Sequence, residues 1–183
     1  MRLFGSFRDD RALQRATSAY IDVLLGEPTP ADVEWLSAVG TRGDADHARW
    51  ELRYLRRSLG MLVAQRDALD DRTPSEVLRT LAARMARDPN VDDALRDLSE
   101  RQFNARLSAY RDAFTSRGLG TPALRVAQNL LAFAGGPIRA DDPAVIRGEV
   151  LVTESLERSA ESLRASFGTV QLPEDVPPSQ LVR

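Results

Sequence analysis

The dipeptide Thr-Pro occurs three times, at Thr29-Pro30, Thr73-Pro74 and Thr121-Pro122, and each occurrence reads as the start of a helix. A threonine oxygen can accept from an otherwise unpaired first-turn N–H, and proline just inside the helix loses no needed donor while its φ is already helical. Asp32 and Glu76 stand three residues after their threonines, the capping-box position, whereas the third start has Leu124 there. From 29 to 73 and from 73 to 121 the spacings are 44 and 48 residues, lengths that suit paired-helix units.

A short apolar helix follows each start, then a polar break, then a longer amphipathic helix. The breaks GTRGDAD, RDPNVDD and GGPIRADDP are rich in residues that favour turns and caps. Residues 29–72, 73–120 and 121–168 therefore read as three helical hairpins after an N-terminal helix over about 9–25. No segment alternates with period two over enough residues to form a strand. The expected fold is all-α, a bundle of about seven helices in one domain over 1–168, with an extended or disordered tail over 169–183. The tail's Val170, Leu172, Val176 and Leu181 could dock in a groove. Gly118, in GLGTP, reads as a helix C-cap rather than as part of a dinucleotide-binding turn, since it follows a helix and a third glycine is missing.

The long helices carry the core. In the first, Ala48, Leu52, Leu55, Leu59, Leu62 and Leu69 keep helical spacing, with Arg66 at the missed step. The second has two stripes, Phe103–Leu107–Tyr110–Phe114 and Val91–Leu95–Leu98–Ala105–Ala109, the latter interrupted by Gln102, so it is expected to be central and covered on two sides. In the third, Val145, Val152, Leu156, Ala160, Leu163 and Phe167 form a seam that Glu149 interrupts. Arg66, Gln102 and Glu149 are thus candidate buried polar residues. An unpaired charge in such a place costs several kcal/mol, so a buried Arg66–Glu149 pair bridged by Gln102 is one arrangement and exposure at helix ends the other.

Composition removes much chemistry. The chain has no cysteine, and all 25 of its basic side chains are arginine, so thiol nucleophiles, thiolate metal sites, Schiff-base lysines and P-loop lysines are excluded. With a net charge of −2 it lacks the cationic excess of a nonspecific nucleic-acid binder. The opening MRLFGSFRDDR has no apolar core of a signal peptide and no later run is long enough to span a bilayer; a cytoplasmic protein is expected.

The single histidine, His47, lies at i+3 from Asp44 and i−4 from Glu51, on one helix face. Asp44 follows Gly43 where the helix must begin and reads as its N-cap, leaving His47 and Glu51 as an ordinary helical pair and weak metal candidates. A di-iron bundle needs a second Glu-x-x-His, which one histidine cannot supply. Without a second histidine or a G-x-S-x-G, no catalytic residue and no cofactor is assigned. Arg49, Arg53 and Arg56 form a row of like charge, and Asp93, Asp97 and Glu100 repeat its spacing with opposite sign. Facing rows would fix helix register or join two copies; alternatively each row is solvated, with Asp92–Arg96 and Asp97–Arg101 pairing along their own helix. The leading expectation is a non-enzymatic protein working through protein–protein interaction, by self-association or as an adaptor. Binding of a small ligand or metal near His47, Glu51, Arg66 and Glu149 is the alternative, and contact with nucleic acid through the arginine row a weaker third.

Overall fold

The structure, a computed structural model, describes residues 3–68 and 70–168; Leu69 and the tail with its docking residues lie outside them. Seven α-helices follow one another with no strand among the described residues: α1 Leu3–Leu24, α2 Pro30–Val39, α3 Ala45–Asp67, α4 Arg72–Met85, α5 Arg96–Thr115, α6 Pro122–Ala134 and α7 Pro143–Phe167. A single 3₁₀ turn, Asp93–Leu95, precedes α5. The molecule is an all-α helical bundle, and no helix among the described residues is long and apolar enough to cross a membrane.

Capping chemistry explains most of the boundaries. Thr29 and Thr121 accept from the N–H groups of Asp32 (3.1 Å) and Leu124 (3.0 Å), as expected. The reciprocal half of the first capping box is altered, because the Asp32 carboxylate takes the Thr29 hydroxyl at 2.7 Å. The middle start is displaced. Asp70, three residues upstream, accepts both the N–H (2.6 Å) and the hydroxyl (2.9 Å) of Thr73, so a charged acceptor displaces the neutral one and Thr73 sits buried in the first turn. Its carboxyl is held below the ordinary range: burial opposes this, but the N–H and O–H donors of Thr73 outweigh it. Glu76 is left to pair with Arg79.

The end of α5 also departs from expectation. Gly118 is not its cap: the helix stops at Thr115 and Ser116 is already extended. Arg125 of α6 reaches back and donates to the carbonyls of Ala113 (2.9 Å), Ser116 (2.9 Å), Gly118 (3.3 Å) and Gly120 (2.7 Å). One guanidinium thus satisfies acceptors that a glycine cap would otherwise pair with backbone donors. We expect Arg125→Ala to lower the free energy of unfolding by about 1–2 kcal/mol in urea denaturation. Arg125→Lys should recover only part of it, since an ammonium lacks the planar fork.

The central helix is α3, not α5. More of it is buried than of any other helix, and its faces serve two core regions: Leu52, Leu55 and Leu59 pack with α2, α6 and α7, while Tyr54, Met61 and Val63 pack with α1, α4 and α5. Close approach of α1 depends on Gly60, whose carbonyl accepts the Tyr20 hydroxyl at 2.8 Å. A Cβ there would stand 2.3 Å from a Leu24 methyl. Burial raises the Tyr20 phenol above its ordinary value, with Asp67 nearby adding to this. On α5 only the stripe containing Phe103, Leu107 and Tyr110 is buried; Leu95 and Leu98 of the other are 53% and 43% exposed.

Two of the three expected hairpins form, α2 with α3 and α6 with α7. The middle pair does not close. α4 packs on α1 and α3, α5 packs on α3 and α6, and the two hardly touch each other. Their shared partner α3 holds them apart, so the face between them stays open.

Candidate functional site

The site is built outward from the start of α3. Asp44 caps it, accepting from the N–H groups of Asp46 (3.0 Å) and His47 (2.9 Å), as the sequence indicated. From that fixed start, His47, Glu51 and Tyr54 follow one another on a single face at steps of four and three. α5 crosses this face and brings a polar lane of its own, Ser99, Gln102 and Arg106, at steps of three and four. Between the two helices lies a half-open hollow of about 260 Å³, closed at one end by Asn90, Val91 and Asp92.

Glu51 is the anchor, its side chain 2% exposed. Arg106 grips it bidentately, Nε to Oε2 at 3.0 Å and Nη2 to Oε1 at 2.5 Å, while His47 Nε2 lies 3.3 Å from Oε1. The remaining guanidinium nitrogen donates to the Gln102 carbonyl at 3.3 Å, and the guanidinium plane lies 4.4 Å from the Phe133 ring centre. Burial works against the charge of Arg106, but bonding to Glu51 outweighs it and raises its pKa. Beneath the pair, complete burial pushes the Tyr110 phenol far above its ordinary value, and its hydroxyl has no partner among the described residues.

The Tyr54 hydroxyl donates to Gln102 Oε1 at 3.3 Å and lies 3.2 Å from the Ser99 hydroxyl. Trp50 is flanked by the guanidinium groups of Arg53 and Arg57, 4.6 and 5.9 Å from its ring centre. Arg57 is buried and bonds Asp88 at 3.2 Å, tying α3 to the connection that closes the hollow. Burial would raise the Asp88 carboxyl, but the Asn90 donors and Arg57 hold it below the usual range.

The other residues singled out from the sequence are placed elsewhere. Arg66 does not enter the core: its side chain is 58% exposed and turned onto Asp67 in the last turn of α3. Glu149 is half-buried and takes the Thr121 hydroxyl, because the step inward between Val145 and Val152 is made by Gly148, which sits against Ala127 and Trp35. The proposed Arg66–Gln102–Glu149 bridge is therefore absent, and of the three only Gln102 reaches the hollow. Nor do the charge rows meet. Arg53 binds Glu27 through two bonds (2.6 and 3.2 Å), Arg56 donates to the carbonyls of Gly26 and Glu27, and Arg49 pairs with Asp46. Arg53 and Arg56 are answered by the connection after α1, and Arg49 by its own helix, rather than by α5. Asp93 pairs with Arg96, while Asp97 and Glu100 border a second opening.

For a metal, the histidine face offers little. Both Glu51 oxygens are engaged, and among the described residues no group of three His, Asp or Glu side chains converges. Arg106, Tyr54, Ser99 and the Arg57–Asp88 pair were not singled out from the sequence, although the lane 99–102–106 was open to reading.

The second opening is the groove between α4 and α5, about 530 Å³, floored by Leu81, Met85 and Phe103. Leu78, 46% exposed, stands on the α4 rim, with Asp97 and Glu100 on the α5 rim. Val91 and Ser99 border both openings. Comparison with protein-family models, with curated proteins and with solved structures gave no match to this chain.

Proposed function

We propose that the protein is a non-enzymatic, cytoplasmic interaction module that self-associates through the face formed by α4 and α5. The observation that carries this reading is the open groove, an apolar floor between two helices that are adjacent in sequence yet unpacked. An apolar floor continuous with an exposed leucine is the kind of contiguous apolar surface that association covers.

Charge selects the occupant. Residues 72–87 hold Arg72, Arg79, Arg84 and Arg87 against Glu76 alone, whereas residues 92–100 hold Asp92, Asp93, Asp97 and Glu100 against Arg96. The α4 segment thus carries a surplus of arginine and the start of α5 a surplus of acid; Arg72, Arg79 and Arg84 also pair within the chain, with Asp10, Glu76 and Asp22, and Arg87 is exposed. A two-fold axis running along the groove sets α4 of each copy over α5 of the other, so in a dimer of this chain the surplus of one sign faces the surplus of the other. In this reading Asp97 and Glu100 of the acidic row do meet arginines, but across an interface.

Sedimentation over a micromolar concentration series tests it. A concentration-dependent dimer is expected, with Leu78→Glu weakening association at least about tenfold, or about 1.4 kcal/mol, while leaving the circular dichroism unchanged. Asp97→Arg with Glu100→Arg should also weaken it, and adding Arg79→Glu with Arg87→Glu should restore it. A single monomeric species throughout, or indifference to all of these changes, overturns the proposal.

A further inference from the structure

We propose that the hollow between α3 and α5 is a binding site for a small uncharged molecule with an apolar or aromatic body and one amide- or hydroxyl-like end. This inference is independent of the self-association reading. It stands on the hollow's walls and on which of its polar groups are already satisfied.

Charge at the floor is cancelled within the protein. Each nitrogen of Arg106 already donates, and both oxygens of Glu51 already accept. An incoming anion would meet Asp92 and Glu51 with only a compensated arginine to receive it. An incoming cation would find the buried carboxylate taken and Arg106 beside it. A neutral guest disturbs neither arrangement.

The unspent hydrogen-bonding capacity that carries no charge lies beside that floor. Tyr54 occupies the Gln102 oxygen, and the Gln102 amide nitrogen has no protein partner among the described contacts. The ring nitrogen of His47 that faces away from Glu51 is likewise without one. A carbonyl or hydroxyl oxygen on the guest can accept from the Gln102 amide, with Ser99 in reach of the same corner.

The walls supply the apolar half. Leu95 and Leu98 expose about half of their surface on one side, and Trp50 stands opposite. These are the leucines of the α5 stripe that no helix covers, and a guest lying against them removes that surface from water. The walls are also set in advance: two arginines hold Trp50, and buried Arg57, paired with the partly buried Asp88, holds the connection at the end of the hollow. Binding therefore needs little rearrangement of the protein.

The test uses four probes of matched shape, namely benzamide, benzoate, benzylammonium and toluene, titrated into the full chain. The indole signal of Trp50 and the side-chain amide of Gln102 are followed by NMR, with Trp35 as internal control. Benzamide should shift both signals saturably and bind at least about fivefold tighter than either charged probe. Gln102→Leu should bring benzamide down to the level of toluene, and Leu98→Ser should weaken both. The inference fails if no probe moves Trp50 more than Trp35. It fails equally if a charged probe matches benzamide, or if benzamide binding survives Gln102→Leu unchanged.

Discussion

Replacing Arg106 by methionine is expected to lower the free energy of unfolding by about 3–5 kcal/mol, read from the urea transition at neutral pH. Glu51 would keep its position, 2% exposed, but lose the bidentate partner that occupies both of its oxygens. His47 alone would remain, half-exposed and bonded to one oxygen at 3.3 Å. Such a carboxylate, 2% exposed, meets water only through the hollow it borders, so much of its desolvation cost falls on the folded state. The companion result separates this from lost packing. Glu51→Leu combined with Arg106→Met should be much closer to the parent than Arg106→Met alone, because removing both charges removes the need for either. A deficit below about 1 kcal/mol for the single change would mean that the pair is effectively solvated.

Gly60→Val is expected to be comparably severe, with about 3 kcal/mol or more lost. The first added carbon alone meets a Leu24 methyl at 2.3 Å, and Leu24 is fully buried with nowhere to turn. Forcing α1 outward also breaks the Tyr20 bond to the Gly60 carbonyl, stranding a buried hydroxyl. A double-mutant cycle identifies the cause. Gly60→Ala should cost less in a Leu24→Ala background than in the parent, because the missing methyls make the room that the new one needs. Equal costs in both backgrounds would show that the effect lies elsewhere than in this contact.

What could be read from the sequence divides by the range of the interaction. Capping acts within three residues, so Thr29, Asp44 and Thr121 could be assigned directly. The same short range explains the miss at Thr73, where Asp70 competed for the same N–H and a carboxylate outbid a hydroxyl. The His47–Glu51 pair was visible because helical geometry guarantees it. The grip of Arg106 on Glu51 spans 55 positions and leaves no periodic mark. Arg57 with Asp88 and Arg53 with Glu27 are similar cases, formed only when separate helices are brought together. Periodicity also reports that a residue is apolar without naming what covers it. For that reason both stripes looked alike, although Phe103, Leu107 and Tyr110 of one are buried and Val91, Leu95 and Leu98 of the other border the hollow. At Glu149 the ambiguity was finer still, since steps of three and four both lead from Val145 toward Val152 and only packing chose Gly148.

The position of α7 bears on how the chain is made. It lies against α6, α3 and α1 at once, and Val145, Val152 and Leu163 fill both core regions. A ribosome delivers this helix after the other six, so until then α1 and α3 emerge with a long oily flank bare. Nascent chains halted before Pro143 should accordingly be protease-sensitive and bound by chaperones, and protection should arrive in one late step.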